Sequence, residues 1–296
     1  MELLKNKTCI ITGGNSGIGK AAAVGLARFG ANIILVVRNR FRGEAALKEI
    51  ITLTGNKNIE IQLCYLSSFE SIKECADNIR SHHKKIDVLI NNAGAYFSKR
   101  HITKDGIEAT FQVNYLSRFL LTNLLLDLIT KNGGGKIINV NGEYHRHGKI
   151  NFNDLQMKKR YTGMCAACRA KLADLLFVYE LSSKLKGFPV NVNALHPGIV
   201  ATNAVENDPD ASMMRKILYW LAKPFLSSPE KGAETILYLA SNDEAKNVTG
   251  KYFINNKIAA SSSSSLDKEA AKKLWKESEI LTGIDTEQIL ESINKR

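Results

Sequence analysis

The chain has 296 residues, of which 44% are hydrophobic and 24% charged, a composition typical of a globular protein with one large α/β domain or two small ones. The formal net charge of +12 favours anionic ligands or surfaces. No basic stripe interleaved with aromatic residues is present, which argues against nucleic acid as a partner. The chain enters a strand almost at once and has no apolar run long enough to span a bilayer, so we expect a cytoplasmic protein with no signal peptide or transmembrane segment.

The five cysteines fall into two groups. Cys9, Cys64 and Cys75 lie in apolar segments, so we expect them to be buried. Cys165 and Cys168 have the CxxC spacing of redox and metal sites. Because no second CxxC and no HxxxH accompanies them, we expect no metal site. A redox pair and an ordinary pair of helical residues both stay open.

A glycine-rich turn joins the first predicted strand, residues 8–11, to the first predicted helix. Such a turn lets backbone N–H groups approach a pyrophosphate at the positive end of the helix. The pattern therefore predicts a dinucleotide site, and an ordinary tight turn is the alternative. The predicted cofactor contacts are Gly13, Gly14, Asn15, Ser16, Gly17, Ile18 and Gly19.

The second predicted strand, residues 32–37, ends in Arg38 rather than in an acid. A carboxylate at this point would accept a hydrogen bond from the ribose 2′-hydroxyl of NAD, whereas a guanidinium suits a 2′-phosphate. Arg38 therefore favours NADP(H) as the cofactor. A solvated basic loop, with Arg40 and Arg42 close behind, is the alternative.

The rest of the first two hundred residues alternates between helix and strand. This alternation predicts a single doubly wound, Rossmann-type α/β domain, with a parallel sheet flanked by helices. The predicted helices are 41–53, 69–82, 104–131 with an interruption near Asn114, and 164–185; the predicted strands are 59–66, 86–90, 136–140 and 190–195. A small-residue turn, with Asn91, Ala93 and Gly94 as predicted cofactor contacts, follows strand 86–90.

The pattern changes after Thr202. Residues 203–227 are predicted to form a lid over an apolar substrate or a patch that rests on a membrane, because 213–226 combine large apolar side chains with few cations. A core helix or a dimer contact is the alternative. A helix over 228–240 and a strand over 252–254 complete a domain of residues 1–258. Five serines, 261–265, are predicted to be a linker to a short helical C-terminal tail within 259–296.

Taken together, these motifs resemble the short-chain dehydrogenase/reductase family over residues 7–255. The residues Arg38-Asn39, Phe111 to Asn114 and Leu274 to Ser278 are similar to the retinol dehydrogenase-like branch. The resemblance implies hydride transfer between NADP(H) and a hydrophobic alcohol or carbonyl compound, such as a retinoid, sterol or fatty aldehyde. It also implies cofactor contacts from Pro197, Gly198 and Thr202, and a homodimer or a tetramer formed through the two long helices.

Two of the four catalytic positions implied by the resemblance lack their functional group. Asn114 matches the supporting asparagine, and Lys171 matches the lysine that binds the nicotinamide ribose. Ala167 stands where the family has its acid/base tyrosine, and Gly142 where it has the serine that holds the substrate oxygen. Tyr65 stands where the family has an adenine-binding aspartate.

Several residues are candidates to replace the missing groups: Asn141, Tyr144, Tyr161 and Cys168. Each could equally be an ordinary loop or packing residue. We therefore carry two hypotheses, a weak or atypical NADP(H)-dependent oxidoreductase and a catalytically inactive cofactor-binding protein that acts through a protein partner. A lyase or isomerase that uses Lys171 differently is a third, without specific support.

Overall fold

The computed structural model describes residues 3–200, 208–222 and 226–294. Its centre is an eight-stranded sheet with the order β3-β2-β1-β4-β5-β6-β7-β8, in which neighbouring strands are parallel except for β8, which is antiparallel to β7. The strands are β1 (Thr8–Thr12), β2 (Asn32–Val37), β3 (Ile59–Leu63), β4 (Val88–Asn91), β5 (Lys136–Val140), β6 (Asn191–His196), β7 (Lys251–Ile254) and β8 (Lys257–Ala259). This architecture confirms the predicted doubly wound α/β fold.

Helices cover both faces of the sheet. They are α1 (Gly17–Arg28), α2 (Arg40–Thr54), α3 (Phe69–His82), α4 (Ala109–Phe111), α5 (Ser117–Ile129), α6 (Gly163–Lys184), α7 (Met213–Ala222), α8 (Pro229–Ser241), α9 (Lys268–Thr282) and α10 (Thr286–Asn294). Helices α1 and α8 pack over one face, and α3, α5 and α6 over the other. Each face therefore has its own hydrophobic core.

The central strands read as continuous apolar runs because both of their faces are covered. Along β1, Ile10 joins the core beneath α3, α5 and α6, whereas Ile11 joins the core beneath α1 and α8. Both side chains are fully buried. Cys9, Cys64 and Cys75 are also buried, as predicted.

The long helix predicted from residue 104 starts later than expected. Residues 101–108 form a loop, and the Glu108 carboxylate accepts hydrogen bonds from the backbone N–H groups of Thr110 (2.7 Å) and Phe111 (2.9 Å), which begins the helix there. The interruption predicted near Asn114 is a π-helical turn over Gln112–Leu116. Such turns are frequent at functional sites because they change the direction of the following residues.

The five serines do not form a linker. Residues Ser263–Leu266 make a 3₁₀ turn, and the buried Ser265 hydroxyl donates to Ser261 Oγ (2.8 Å). The predicted boundary at 258 falls inside β8, a strand that sequence reasoning missed. The segment from 259 onward is therefore a continuation of the sheet and its helical cover.

The tail packs back onto its own domain. Trp275 of α9 stacks on Phe177 of α6 (ring centroids 5.8 Å apart) and meets Phe119 of α5 edge-on (5.0 Å). Its indole N–H donates to Thr286 Oγ1 (2.8 Å) at the start of α10. The tail thus covers part of both long helices. A homodimer through those helices would have to use their remaining surface.

Candidate functional site

The glycine-rich turn lies at the carboxyl end of β1 and leads into α1. Gly17 has φ of 52°, and a Cβ atom there would meet no heavy atom within 4 Å. At Gly19 the reverse holds, since a Cβ atom would lie 2.4 Å from the Gly13 carbonyl oxygen and 2.5 Å from Asn92 Nδ2. The turn is therefore closed toward the β4 loop and open on the side where a ligand would approach.

The N-terminus of α1 fits an anionic group. Within the described residues, the Ser16 side chain makes no capping hydrogen bond, and the first turn contains no acidic residue. Ile18, which is buried, anchors this turn in the core beside Val200 and Ala233. The first N–H groups of a helix carry positive partial charge, so these features together suit a pyrophosphate.

Arg38 lies at the end of β2, next to this turn. Its side chain is exposed and has no ion pair within the described residues. Asn39 caps α2 by accepting a hydrogen bond from the Arg42 backbone N–H (2.9 Å), which fixes the chain just beyond Arg38. Tyr65, half exposed, follows β3. The edge of the predicted ribose site is therefore cationic.

The turn after β4 is held by buried contacts. Asn91 donates from Nδ2 to Thr122 Oγ1 (3.0 Å) and to Asn139 Oδ1 (2.9 Å), so its side chain points into the protein rather than toward a ligand. The Ala93 backbone N–H donates to Thr12 Oγ1 (3.0 Å), which joins this turn to the end of β1. Asn91 is thus placed to position the turn, while Ala93 and Gly94 are partly exposed at the sheet edge.

A buried ion pair lies beneath this edge. Arg118 of α5 donates from Nη1 to Asp174 Oδ2 of α6 (2.8 Å), and the side chains are 2% and 0% exposed. Asp174 also accepts hydrogen bonds from Asn139 Nδ2 and Asn141 Nδ2, both at 2.7 Å. Every carboxylate oxygen is therefore hydrogen-bonded, as a buried charge requires.

Arg118 also holds two loops of the site. Its Nη1 donates to the Val140 carbonyl oxygen (3.0 Å) at the end of β5, and its Nη2 to the Ala93 carbonyl oxygen (2.9 Å) after β4. Lys171 Nζ donates to the same Val140 oxygen (3.0 Å). The carboxyl ends of β4 and β5 and the middle of α6 are thereby fixed to one another.

The Lys171 amine has an altered acidity. Burial lowers its pKa to about 7, and the nearby positive charge of Arg118 adds to this effect, whereas Asp174 opposes it. Ala167 lies one helical turn earlier on the same face of α6 and is 8% exposed. The Lys171 amine can therefore gain or lose a proton near neutral pH, and the neighbouring side chain on this face is the methyl group of Ala167.

Asn114 acts on the loop that follows β4. Its Oδ1 accepts a hydrogen bond from the Ala95 backbone N–H, and its Nδ2 donates to the Ala95 carbonyl oxygen, both at 2.7 Å. Because Asn114 lies within the π turn, the helix brings its amide directly against this loop. Asn114 thus holds this loop in place, and its supporting role in catalysis stays a prediction.

Asn141 is fully engaged by the protein. Its two amide hydrogens are donated to the Lys171 carbonyl oxygen (3.0 Å) and to Asp174, and its Oδ1 accepts from the Gly142 backbone N–H (2.8 Å). The geometry therefore favours a structural role for Asn141 over the predicted contact with a substrate oxygen.

The other candidate replacements differ in accessibility. Tyr161 donates its hydroxyl to the Phe97 carbonyl oxygen (2.9 Å), and burial raises its pKa to about 12. Cys168 is buried, and burial raises its pKa, so its thiol is a poor acid/base group and a poor redox nucleophile. Cys165 and Tyr144 are exposed, and Tyr144 stays a candidate acid.

One residue with no assigned role in the sequence analysis is His196, the last residue of β6. Its Nδ1 is buried and has no hydrogen-bond partner within the described residues. A Cβ atom added at Gly142 would lie 3.9 Å from this nitrogen, and among the described residues no other heavy atom outside the glycine's chain neighbours would be within 4 Å. The sequence did offer one indication that His196 lies near the site, because it ends a predicted strand and ligands bind at the carboxyl ends of parallel strands.

Pro197 and Gly198 follow β6, and Gly198 has φ of 84°, as a sharp turn requires. Thr202, the remaining predicted cofactor contact, lies outside the described residues. The predicted lid is described only in part, because residues 201–207 and 223–225 also lie outside them.

The described part of the predicted lid includes α7, which presents apolar side chains to solvent. Met213, Met214, Ile217 and Trp220 are between 51% and 73% exposed. Ile199, at the edge of the sheet, is also exposed. Among the described residues, no helix combines the length and apolar character that crossing a bilayer requires. Nor do three His, Cys, Asp or Glu side chains in this part of the chain form a group that could hold a metal ion.

Residues 7–212 match the family model for short chain dehydrogenases, and the chain belongs to this family. It is 40% identical to human retinol dehydrogenase 13 over 294 residues, covering 97% of this chain and 88% of that protein. A solved protein from Mycobacterium paratuberculosis is 30% identical, with a TM-score of 0.77 and coverage of 96% of each chain. A short chain dehydrogenase from Shigella flexneri, solved with NADP, shares the fold at 22% identity, with a TM-score of 0.66 and coverage of 85% of this chain and 98% of that one.

Replacing Asp174 by Asn should destabilise the fold by about 3–5 kcal/mol, because it leaves the buried Arg118 guanidinium without its counter-charge. Urea unfolding measures this change. The matched control is Glu269→Gln on the exposed face of α9, where the ion pair with Lys272 (2.9 Å) is solvated and its loss should leave the unfolding midpoint unchanged. Equal midpoints for both variants would contradict the structural role of the Arg118–Asp174 pair.

Proposed function

We propose that this protein is an NADP(H)-dependent oxidoreductase that interconverts apolar carbonyl compounds and alcohols at a low rate. The observation that carries the proposal is the position of Lys171. Its amine lies at the carboxyl end of β5, bonded to Val140, at the sheet edge that also bears the open phosphate turn of residues 13–19. In parallel α/β sheets, dinucleotides bind at this edge, where the strands end at their carboxyl ends.

The residues present fit NADP(H). The phosphate turn would bind the pyrophosphate, Arg38 the 2′-phosphate, and Lys171 the nicotinamide ribose. The family resemblance and the NADP held by the Shigella flexneri enzyme support this assignment. The bound cofactor supplies or accepts the hydride at the reacting carbon.

The proton cannot come from position 167, because Ala167 has no acidic hydrogen to give; the exposed Tyr144 is one candidate and Lys171 is the one that we favour. A carbonyl oxygen takes up one proton as its carbon takes up the hydride, and an alcohol loses both in the reverse direction. Lys171 is the titratable group on the same face of α6, and its pKa of about 7 suits transfer in either direction at neutral pH. Its hydrogen bond to Val140 holds it back from the reacting oxygen, which accounts for a low rate.

The substrate class follows from α7. Its exposed apolar side chains are suited to a long hydrophobic molecule such as a retinoid, sterol or fatty aldehyde. The same face, on a chain of net charge +12, would make the predicted peripheral contact with an anionic membrane, where such molecules dissolve. The name of one relative, retinol dehydrogenase 13, indicates a retinoid substrate.

The second candidate is a catalytically inactive NADP(H)-binding protein that acts through a partner. The specific observation in its favour is the joint absence of functional groups at Ala167 and Gly142, while Asn141 is fully engaged within the protein. Cofactor binding is common to both candidates, so turnover decides between them.

The predicted 2′-phosphate contact can be tested by replacing Arg38 with Ala. NADPH affinity should fall by about tenfold to a hundredfold, as expected for the loss of a charged hydrogen bond, whereas NADH affinity should hardly change. Cofactor fluorescence measures both affinities. The matched control is Arg28→Ala. Arg28 is exposed and lies at the C-terminal end of α1, away from the phosphate turn, so this variant loses the same charge at another site. An equal effect of both substitutions would show that only net charge matters.

Turnover is tested by offering NADPH with retinal, a sterol ketone and aldehydes of increasing chain length, free and in anionic vesicles, while NADPH absorbance is followed. We expect slow reduction that favours the longer compounds. Ala167→Tyr should raise kcat, by at most the about 10²- to 10⁴-fold that a positioned acid contributes, because Lys171 already supplies part of this effect. Tight NADPH binding without turnover by the unaltered protein would contradict the oxidoreductase and support the inactive cofactor-binding protein.

A further inference from the structure

We propose that His145 is a positioning residue that fastens the turn after β5 to the C-terminal part of the chain, so that residues 260–262 help to hold the candidate site in place. We call residues 142–148 the site turn and residues 260–262 the tail segment. The inference rests on the proposed oxidoreductase function, which it extends to how the substrate oxygen is held near Lys171. His145 contacts no reacting atom and acts only through the backbone of Gly142.

His145 is fully buried, and both of its ring nitrogens have backbone partners. Nδ1 lies 2.8 Å from the Gly142 carbonyl oxygen in the site turn, and the Ser262 backbone N–H of the tail segment donates to Nε2 (3.1 Å). The ring also meets Tyr252 of β7 edge-on, with centroids 5.0 Å apart. One side chain thus connects the site turn to a residue that lies 117 positions further along the sequence.

These two partners assign the protonation state of the imidazole. A carbonyl oxygen can only accept a hydrogen bond, so Nδ1 carries the proton, and a backbone N–H can only donate, so Nε2 carries none. Burial lowers the pKa of His145, while the Gly142 carbonyl and Glu143 oppose this effect and Arg146 adds to it. His145 is therefore neutral at neutral pH, in the tautomer that satisfies both partners.

Two further side chains of the site turn support the same connection. Arg146 donates from Nη2 to the Ala260 carbonyl oxygen of the tail segment (2.7 Å) and from Nε to Glu143 (2.5 Å). Glu143 also accepts a hydrogen bond from the Tyr252 hydroxyl (2.9 Å). The Arg146 and Glu143 side chains are each 39% exposed, so this ion pair contributes little, and the buried contact through His145 is the main connection.

The site turn is continuous with the strand end that holds Lys171. The Val140 carbonyl oxygen, which accepts from Lys171 Nζ (3.0 Å), lies two residues before Gly142. At the other end of the turn, a Cβ atom at Gly148 would lie 2.5 Å from the Cys168 carbonyl oxygen, so the turn packs tightly on α6. A shift of the turn would therefore move its backbone relative to the amine, and a displacement of about 1 Å can cost about 10²-fold in rate.

The tail segment and the residue after it offer a matched pair of substitutions. Ser262→Pro removes the N–H that donates to His145, at a residue whose φ of −69° already suits proline. The Ser262 hydroxyl has no hydrogen-bond partner within the described residues, so its loss removes no other such contact there. Ser263→Pro is the control, because Ser263 is exposed and begins a 3₁₀ turn, a position where proline is tolerated.

The first test needs neither cofactor nor substrate. In protein labelled with ¹⁵N at histidine, His145 should show a protonated Nδ1 and an unprotonated Nε2 at neutral pH, and its signal is identified by its absence from His145→Asn. Hydrogen exchange of the site turn should become faster in Ser262→Pro and stay unchanged in Ser263→Pro. A proton on Nε2, a charged ring, or equal exchange in the two proline variants would overturn the proposal.

The second test is kinetic and is made in the unaltered protein and in Ala167→Tyr. Ser262→Pro should lower kcat by about tenfold to a hundredfold, whereas Ser263→Pro should retain the rate. NADPH affinity should hardly change, because Arg38 follows β2 and the tail segment follows β8, at opposite sides of the sheet.

A double substitution shows whether the tail segment acts through His145. His145→Asn keeps a donor toward Gly142 but offers no acceptor to Ser262, so it should lose as much kcat as Ser262→Pro. In the His145→Asn background, Ser262→Pro should have no further effect, because the contact that it breaks is already absent. Losses that add up in the double variant would overturn the positioning role.

Thermal melting of each variant distinguishes a displaced turn from loss of the fold. Equal kcat in Ser262→Pro and Ser263→Pro would overturn the role; if Ser262→Pro does not fold, an unchanged kcat in His145→Asn would overturn it. If NADPH binds but neither the unaltered protein nor Ala167→Tyr reduces any carbonyl compound, the proposed function fails, and the role of His145 in catalysis fails with it. The expected histidine spectrum without turnover would identify the function, rather than the contact, as the error.

Discussion

The buried ion pair of Arg118 and Asp174 organises the candidate site. Two charges without access to water persist there only because the carboxylate also accepts hydrogen bonds from two asparagine amides and the guanidinium donates to two carbonyl oxygens. These bonds fix the ends of β4 and β5 against α6. Burial lowers the pKa of Lys171, and the charge of Arg118 in the same network lowers it further, whereas Asp174 opposes the shift. Cofactor geometry and proton chemistry thus depend on one network.

Within this network, binding and chemistry are separable. The proposed dinucleotide site, made of the phosphate turn, Arg38 and Lys171, does not need a tyrosine, because none of the proposed contacts passes through position 167. Proton transfer depends instead on what occupies the space left by Ala167 and Gly142. Lys171 lies on the same face of α6 as Ala167, and burial lowers its pKa. Slow chemistry through Lys171 is what the proposed function expects.

The sequence predicted the fold because the strands are buried on both faces and read as apolar runs, and because glycines punctuate the turns. The predicted start of the long helix was wrong because Glu108 caps the helix while paired with Arg169 (2.9 Å), and this partner lies far along the chain. It read five serines as a linker because the burial of Ser265 depends on the packing of the tail. The Arg118–Asp174 pair could not be predicted either, since it exists only where α5 and α6 meet. Family resemblance identified Lys171, but its acidity follows from burial in three dimensions.

The central claim is that Lys171 provides the proton that tyrosine provides elsewhere in the family. The most direct test is the pH dependence of kcat/KM for carbonyl reduction with NADPH by the unaltered protein. Reduction needs the protonated amine, so kcat/KM should be constant below about pH 7 and should fall about tenfold per pH unit above it. The reverse reaction, which needs the neutral amine, should lose rate as the pH falls below the same value. A rate of reduction that stays constant from about pH 6 to about pH 9 would contradict the claim.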